Sequence, residues 1–117
     1  MKEAVFQRWV IDVARALGWT VWHVPAPMQW VGKERGFVGA KDAAGLADLI
    51  LIRDNRLIFA EVKGTGGKLS AKQIEFLDHV CGMGNPFVWG RVWKPGDEEQ
   101  VEADLARSTT RQAQARP

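Results

Sequence analysis

Asp48, Glu61 and Lys63 are the residues of this chain whose types and spacing suit chemistry, reading together as D-x12-E-x-K. The segment that holds them, LADLILIRDNRLIFAEVK, consists of two apolar runs around Asp54-Asn55, a pair suited to a tight hairpin turn. A symmetric hairpin centred there sets Asp48 directly opposite Glu61. Directly opposed residues of an antiparallel pair point to the same face with their Cβ atoms about 5 Å apart. Lys63, two residues beyond Glu61, points the same way. Two carboxylates held together in a mostly apolar setting repel each other unless a cation lies between them, so the set reads as a divalent metal site. Its ligands are all oxygen, which argues for Mg2+ or Mn2+, hard ions that use one or two carboxylates together with water and substrate phosphate. Zinc does not fit, because the one cysteine, Cys81, and the two histidines, His23 and His79, have no metal-ligand spacing. The expected chemistry is hydrolysis of a phosphodiester. The metal polarises the phosphate and lowers the pKa of an attacking water, while Lys63 positions that water or stabilises developing charge.

These side chains need a frame. The other face of the hairpin, Ala47, Leu49 and Leu51 with Ile58, Ala60 and Val62, is wholly apolar and must pack against a layer such as helices. The chemical face carries Asp48, Ile50, Ile52, Phe59, Glu61 and Lys63, with its polar groups gathered at one end. Upstream, Phe6, Val10, Val13 and Leu17 form a helical stripe over residues 2–17 with Gly18 as a stop. Glu3 lies on that stripe. It either serves the helix dipole from solvent or is a further acid approaching the metal. Residues 19–24, WTVWHV, read as a strand closed by Pro25, with His23 sharing a face with Trp19 and Val21 and packing at the strand end.

Residues 25–45 show no clear period and contain Pro25, Pro27, Gly32, Gly36, Gly39 and Gly45. Lys33, Arg35 and Lys41 are interleaved with Trp30 and Phe37, the composition either of a surface that contacts phosphates and stacks on bases or of a solvated loop. After the hairpin, Gly64-Thr65-Gly66-Gly67-Lys68 lacks P-loop spacing and reads as a flexible link beside the site, with Lys68 a candidate phosphate contact. Ser70 opens a helix running to about Cys81, with Ile74, Leu77 and Val80 or Cys81 facing inward. Ser70-Ala-Lys-Gln73 matches the capping box, with Leu69 and Ile74 placed for a hydrophobic staple. Gln73 thus has a structural explanation, yet from that first turn it can also touch the attacking water or Lys63, and Lys72 can reach a phosphate. PFVWGRVW at 86–93 is a further strand, alternating Phe87, Trp89, Arg91 and Trp93 against Val88 and Val92. Beyond Pro95, DEEQVEADLAR forms a short helix and STTRQAQARP has the composition of a frayed tail. The division expected is a domain over 1–95 and a short helix with a mobile tail over 96–117.

At 117 residues the chain has room for one domain with a modest core, and 46% hydrophobic residues with six tryptophans fit a globular chain. No apolar run is long enough for a membrane span, and MKEAVFQRW lacks a signal peptide's apolar core. A single cysteine excludes a disulfide framework, so the cytoplasm is the expected compartment. A net charge of +2 is compatible with nucleic acid without demonstrating it.

A helix, a strand, a hairpin bearing D and E-x-K, then a helix with an early glutamine: this order resembles the PD-(D/E)xK nuclease superfamily. More narrowly it is similar to the VRR-NUC family, the virus-type replication and repair nucleases, in their stand-alone form. The resemblance rests on Glu3, the strand ending in WHVP, Gly45-Leu-Ala-Asp48, Glu61-Val-Lys63 and Ser70-Ala-Lys-Gln73. It implies an α/β fold with a restriction-endonuclease-like PD-(D/E)xK core, a small mixed β-sheet flanked by helices. It further implies that Asp48 and Glu61 are metal ligands joined by the backbone carbonyl of Val62, that Lys63 is the catalytic lysine, that Gln73 is the family's helix glutamine and that Glu3 is a supporting acid. The expected enzyme is a Mg2+- or Mn2+-dependent, homodimeric endonuclease that cuts branched DNA, a four-way (Holliday) junction or a flap, in replication, recombination or repair. Its setting is the cytoplasm of a bacterium or, if phage-encoded, of the host. One position departs from the pattern: Ala47 stands where the family often has proline, a residue that holds no metal. The alternatives are a non-specific or nicking nuclease of the same fold and a catalytically silent DNA-binding or assembly module. The silent module gains nothing from a repulsive acid pair.

Overall fold

The alternation along residues 46–63 builds the centre of the molecule. In the computed structural model, which describes residues 1–24 and 44–106, Ala47, Leu49, Leu51, Ile58, Ala60 and Val62 are all buried, as their single apolar face requires. They belong to strands β2 (Leu49–Arg53) and β3 (Arg56–Val62), paired in the expected register with Leu49 opposite Ala60 and Arg53 opposite Arg56. The two-residue turn places Asp54 at φ 55°, in the left-handed region that Asp tolerates better than most side chains.

Strand β1 (Thr20–His23) pairs antiparallel with β2, and β4 (Val88–Trp93) pairs parallel with β3, giving one mixed sheet in the order β1-β2-β3-β4. A parallel neighbour requires a crossover, which helix α2 (Ala71–Gly82) supplies. The apolar sheet face is covered by α1 (Glu3–Ala16) and α3 (Glu98–Ala106): Phe6, Val10, Ile11 and Ala14 of α1 and Val101 and Leu105 of α3 share one core with Leu49, Leu51, Ile58, Ala60, Val62 and Trp93. The opposite face receives α2, whose Phe76 meets Phe59 edge-on at 5.2 Å and whose Leu77 and Cys81 crowd Gly90 of β4. The molecule is thus a small α/β unit, a mixed sheet flanked by helices on both faces.

Several local expectations shift. In α1 the buried set is Phe6, Val10, Ile11 and Ala14. Leu17 falls past the last turn and is exposed, and Val13 is only partly covered, because the sheet lies under a face rotated from the predicted stripe. In α2, Leu77 and Val80 are buried but Ile74 and Cys81 are exposed. His23 is exposed too, since the core under Trp19 and Val21 ends before it. The packed unit also extends past residue 95. Asp104 of α3 is buried and accepts from Trp93 Nε1 (3.1 Å), Arg91 Nε (3.1 Å) and Gln100 Nε2 (2.9 Å). Buried Arg56 lies 4.1 Å from the centroid of the Trp89 ring and 5.1 Å from that of Trp19, and donates to the Asp104 backbone carbonyl. Residues 25–43 and 107–117, with the expected loop contacts and tail, lie outside the described residues. Among the described residues no helix is long and apolar enough to cross a membrane.

Candidate active site

Asp48 stands where β2 leaves the ladder. Its backbone carbonyl accepts from Val24 N–H at 2.7 Å, anchoring it to the end of β1. Its carboxylate Oδ2 accepts from Val62 N–H at 2.9 Å, so a side chain takes the place of the next ladder bond. An extended residue directs its N–H and C=O to the same side, so the Val62 carbonyl also faces the Asp48 side of β3.

Glu61 projects from β3 on the face opposite the main core and is itself 1% exposed. Its Oε2 accepts from Gln73 Nε2 and lies 3.4 Å from Lys63 Nζ. Its Oε1 is buried and has no hydrogen-bond partner among the described residues. Burial first, and then the neighbouring Asp48 carboxylate, push Glu61 up to about 7 against the opposing pull of Lys63. Two carboxylates have no donor to offer each other, so only a shared proton or a cation relieves their repulsion. A buried oxygen left orphaned on a carboxyl group that neighbours a second carboxylate offers the oxygen donors that a hard divalent cation takes.

Gln73 arrives from the other side of the crossover. The Ser70 side chain accepts from Gln73 N–H at 3.1 Å, and Gln73 Oε1 accepts from Ser70 N–H at 2.8 Å, closing the predicted capping box. The same side-chain amide donates to Glu61. Cap and site are therefore served by the two ends of one group, and its site partner is Glu61. Two glycines let these parts approach. Gly45 has φ +90°, and a Cβ there would come within 2.5 Å of the Lys72 carbonyl, so the first turn of α2 rests directly on the segment leading to Asp48. A Cβ on Gly64 would lie 2.8 Å from the Glu3 backbone nitrogen, which sets the start of α1 against the residue following Lys63.

Asp48, Glu61, Lys63 and Gln73 thus converge. Glu3 is brought beside Gly64 by its backbone, but its side chain is exposed. No group of three or more His, Cys, Asp or Glu suited to a metal exists among the described residues. Lys68 is exposed on the link, and Lys72 is exposed with its Nζ 3.9 Å from Glu75. Lys33, Arg35 and Lys41 fall outside the described residues. The contact of Gly45 with α2 has no signal in local pattern, because Lys72 is distant in sequence. A glycine three residues before the aspartate was its sole trace.

No curated protein and no solved structure matches the chain. The family model described as the VRR-NUC domain matches residues 39–93, the stretch that holds the hairpin, the link, α2 and β4. Residues 39–93 are thus identified as a VRR-NUC domain, the domain of a nuclease family.

Proposed function

We propose that this chain is a divalent-metal-dependent endonuclease that hydrolyses phosphodiester bonds in branched DNA, a four-way junction or a flap, during replication, recombination or repair. The observation that carries the reading is the buried, unpartnered Oε1 of Glu61, on a carboxyl group that neighbours Asp48. Asp48, Glu61 Oε1 and the Val62 carbonyl would hold Mg2+ or Mn2+. Once bound, such an ion supplies Lewis-acid polarisation of the phosphate and a water of lowered pKa. Asp48 is fixed for this by Val24 and Val62, and Glu61 by Gln73 and Lys63. Lys63, already beside Glu61, is the group that reaches a phosphate oxygen or orients the water with its remaining N–H donors. Lys68 and Lys72 contact the DNA backbone, as do Lys33, Arg35 and Lys41. Selectivity comes from dimer geometry and backbone contacts more than from base reading. A homodimer would present two such sites to two strands, in a bacterial cytoplasm or that of a phage's host.

The test is cleavage of a labelled four-way junction and a matched linear duplex with Mg2+, Mn2+ or EDTA, using the wild-type chain and Lys63→Ala. Junction cutting that requires both metal and Lys63 is expected. Binding without cutting under either metal would replace this reading with a silent DNA-binding module.

A further inference from the structure

The two oxygens of Glu61 have different fates, and the reason lies in the cap of α2. Oε2 takes both available donors, Gln73 Nε2 and Lys63 Nζ, while Oε1 takes none. A glutamine amide donates to a carboxylate only through its nitrogen, and one free to turn can carry that nitrogen away from Glu61. Here it cannot turn. Its oxygen is held by Ser70 N–H, and the backbone of Gln73 is held by the Ser70 hydroxyl. With the oxygen committed to the helix end, Nε2 is the end left to face Glu61. The first turn of α2 is itself seated on Gly45, three residues before Asp48, so the cap is referenced to both carboxylates.

We propose that Ser70 and Gln73 are positioning residues: the capping box of α2 locks the Gln73 amide so that it holds Glu61 by Oε2 and leaves Oε1 as the single oxygen offered to the cation. This rests on the metal-dependent reading above and extends it to Ser70, which touches neither carboxylate. The capping box here is a part of the site's support, and its loss reaches Glu61 through a rotated amide. An outer group of this kind tunes metal affinity through its ligand's orientation.

The experiment measures Mn2+ affinity by the electron paramagnetic resonance signal of free Mn2+, together with melting temperature in EDTA. It compares the wild-type chain with Gln73→Met, Ser70→Ala, Ser70→Asp and a back-core control, Val101→Ala. Gln73→Met should weaken Mn2+ binding by about tenfold or more, the usual range for an outer partner. Ser70→Ala should weaken it several-fold, and Ser70→Asp, which keeps a capping acceptor and the N–H, should restore it. Val101→Ala should melt lower with unchanged Mn2+ affinity. Wild-type affinity in Gln73→Met, or affinity that tracks melting temperature across all variants including Val101→Ala, would overturn the positioning role alone. A wild-type chain that binds no Mn2+ would overturn the metal reading and this inference with it.

Discussion

At the scale of single residues, Asp48 has two duties that substitution can separate. Its carboxylate is a candidate ligand and also the acceptor that satisfies Val62 N–H. Asp48→Asn keeps an acceptor and removes the charge, so cutting should vanish while the melting temperature holds. Asp48→Ala strands a backbone donor and should in addition lose about 1–3 kcal/mol of stability, measurable by urea unfolding. Equal stability of the two variants would remove the ladder-capping role. Glu61 predicts a pH dependence. Its folded-state pKa lies near 7, above the unfolded value of 4.5, so the native state binds the proton more tightly. Stability in EDTA should therefore fall as pH rises from about 4.5 to about 7 and then level off. Urea unfolding of wild type against Glu61→Gln isolates this term: the difference between them should change across that window, and a constant difference would contradict the assignment. Added Mg2+ should stabilise the wild type most above pH 7, where Glu61 is ionised.

At the scale of elements, the site depends on how α2 is seated. Gly45→Ala introduces a Cβ within 2.5 Å of the Lys72 carbonyl at a φ of +90°, so the first turn of α2 must lift and carry Gln73 from Glu61. We expect a loss of about 1–3 kcal/mol from strain and a fall in cleavage rate larger than that of a core variant of equal stability. Steady-state kinetics beside thermal melts decide this. A rate that merely follows stability would make Gly45 a packing residue only. The capping box was legible in Ser70-Ala-Lys-Gln73 because an N-cap is a local device with fixed spacing. Its place just after Glu61 and Lys63 also marked Gln73 for the site, within reach of the water or Lys63; that its partner is Glu61 was not legible, since the sequence leaves the direction of α2 across the sheet open.

At the scale of the whole molecule, α3 belongs to the core. Val101 and Leu105 are fully buried, and Asp104 draws together β4 and its own helix. A chain ending at residue 95 should lose cooperative thermal unfolding by circular dichroism, whereas one ending at residue 106 should retain it. Leu105→Ala should cost about 2–5 kcal/mol, the usual range for a buried leucine. A folded chain of 95 residues would show that α1 alone suffices to cover the apolar sheet face. The sequence by itself determined the hairpin register, the apolar and chemical faces of β2 and β3, the meeting of Asp48 with Glu61 and the cap of α2. Each of these follows from a period, a turn or a short fixed spacing acting between near neighbours. Only the tertiary structure decided which face of α1 is buried, that α3 completes the core, that Gly45 seats α2, and that Gln73 holds one oxygen of Glu61 while the other is left bare. Those are contacts between elements far apart in sequence, set by helix direction and close packing, which no local pattern encodes.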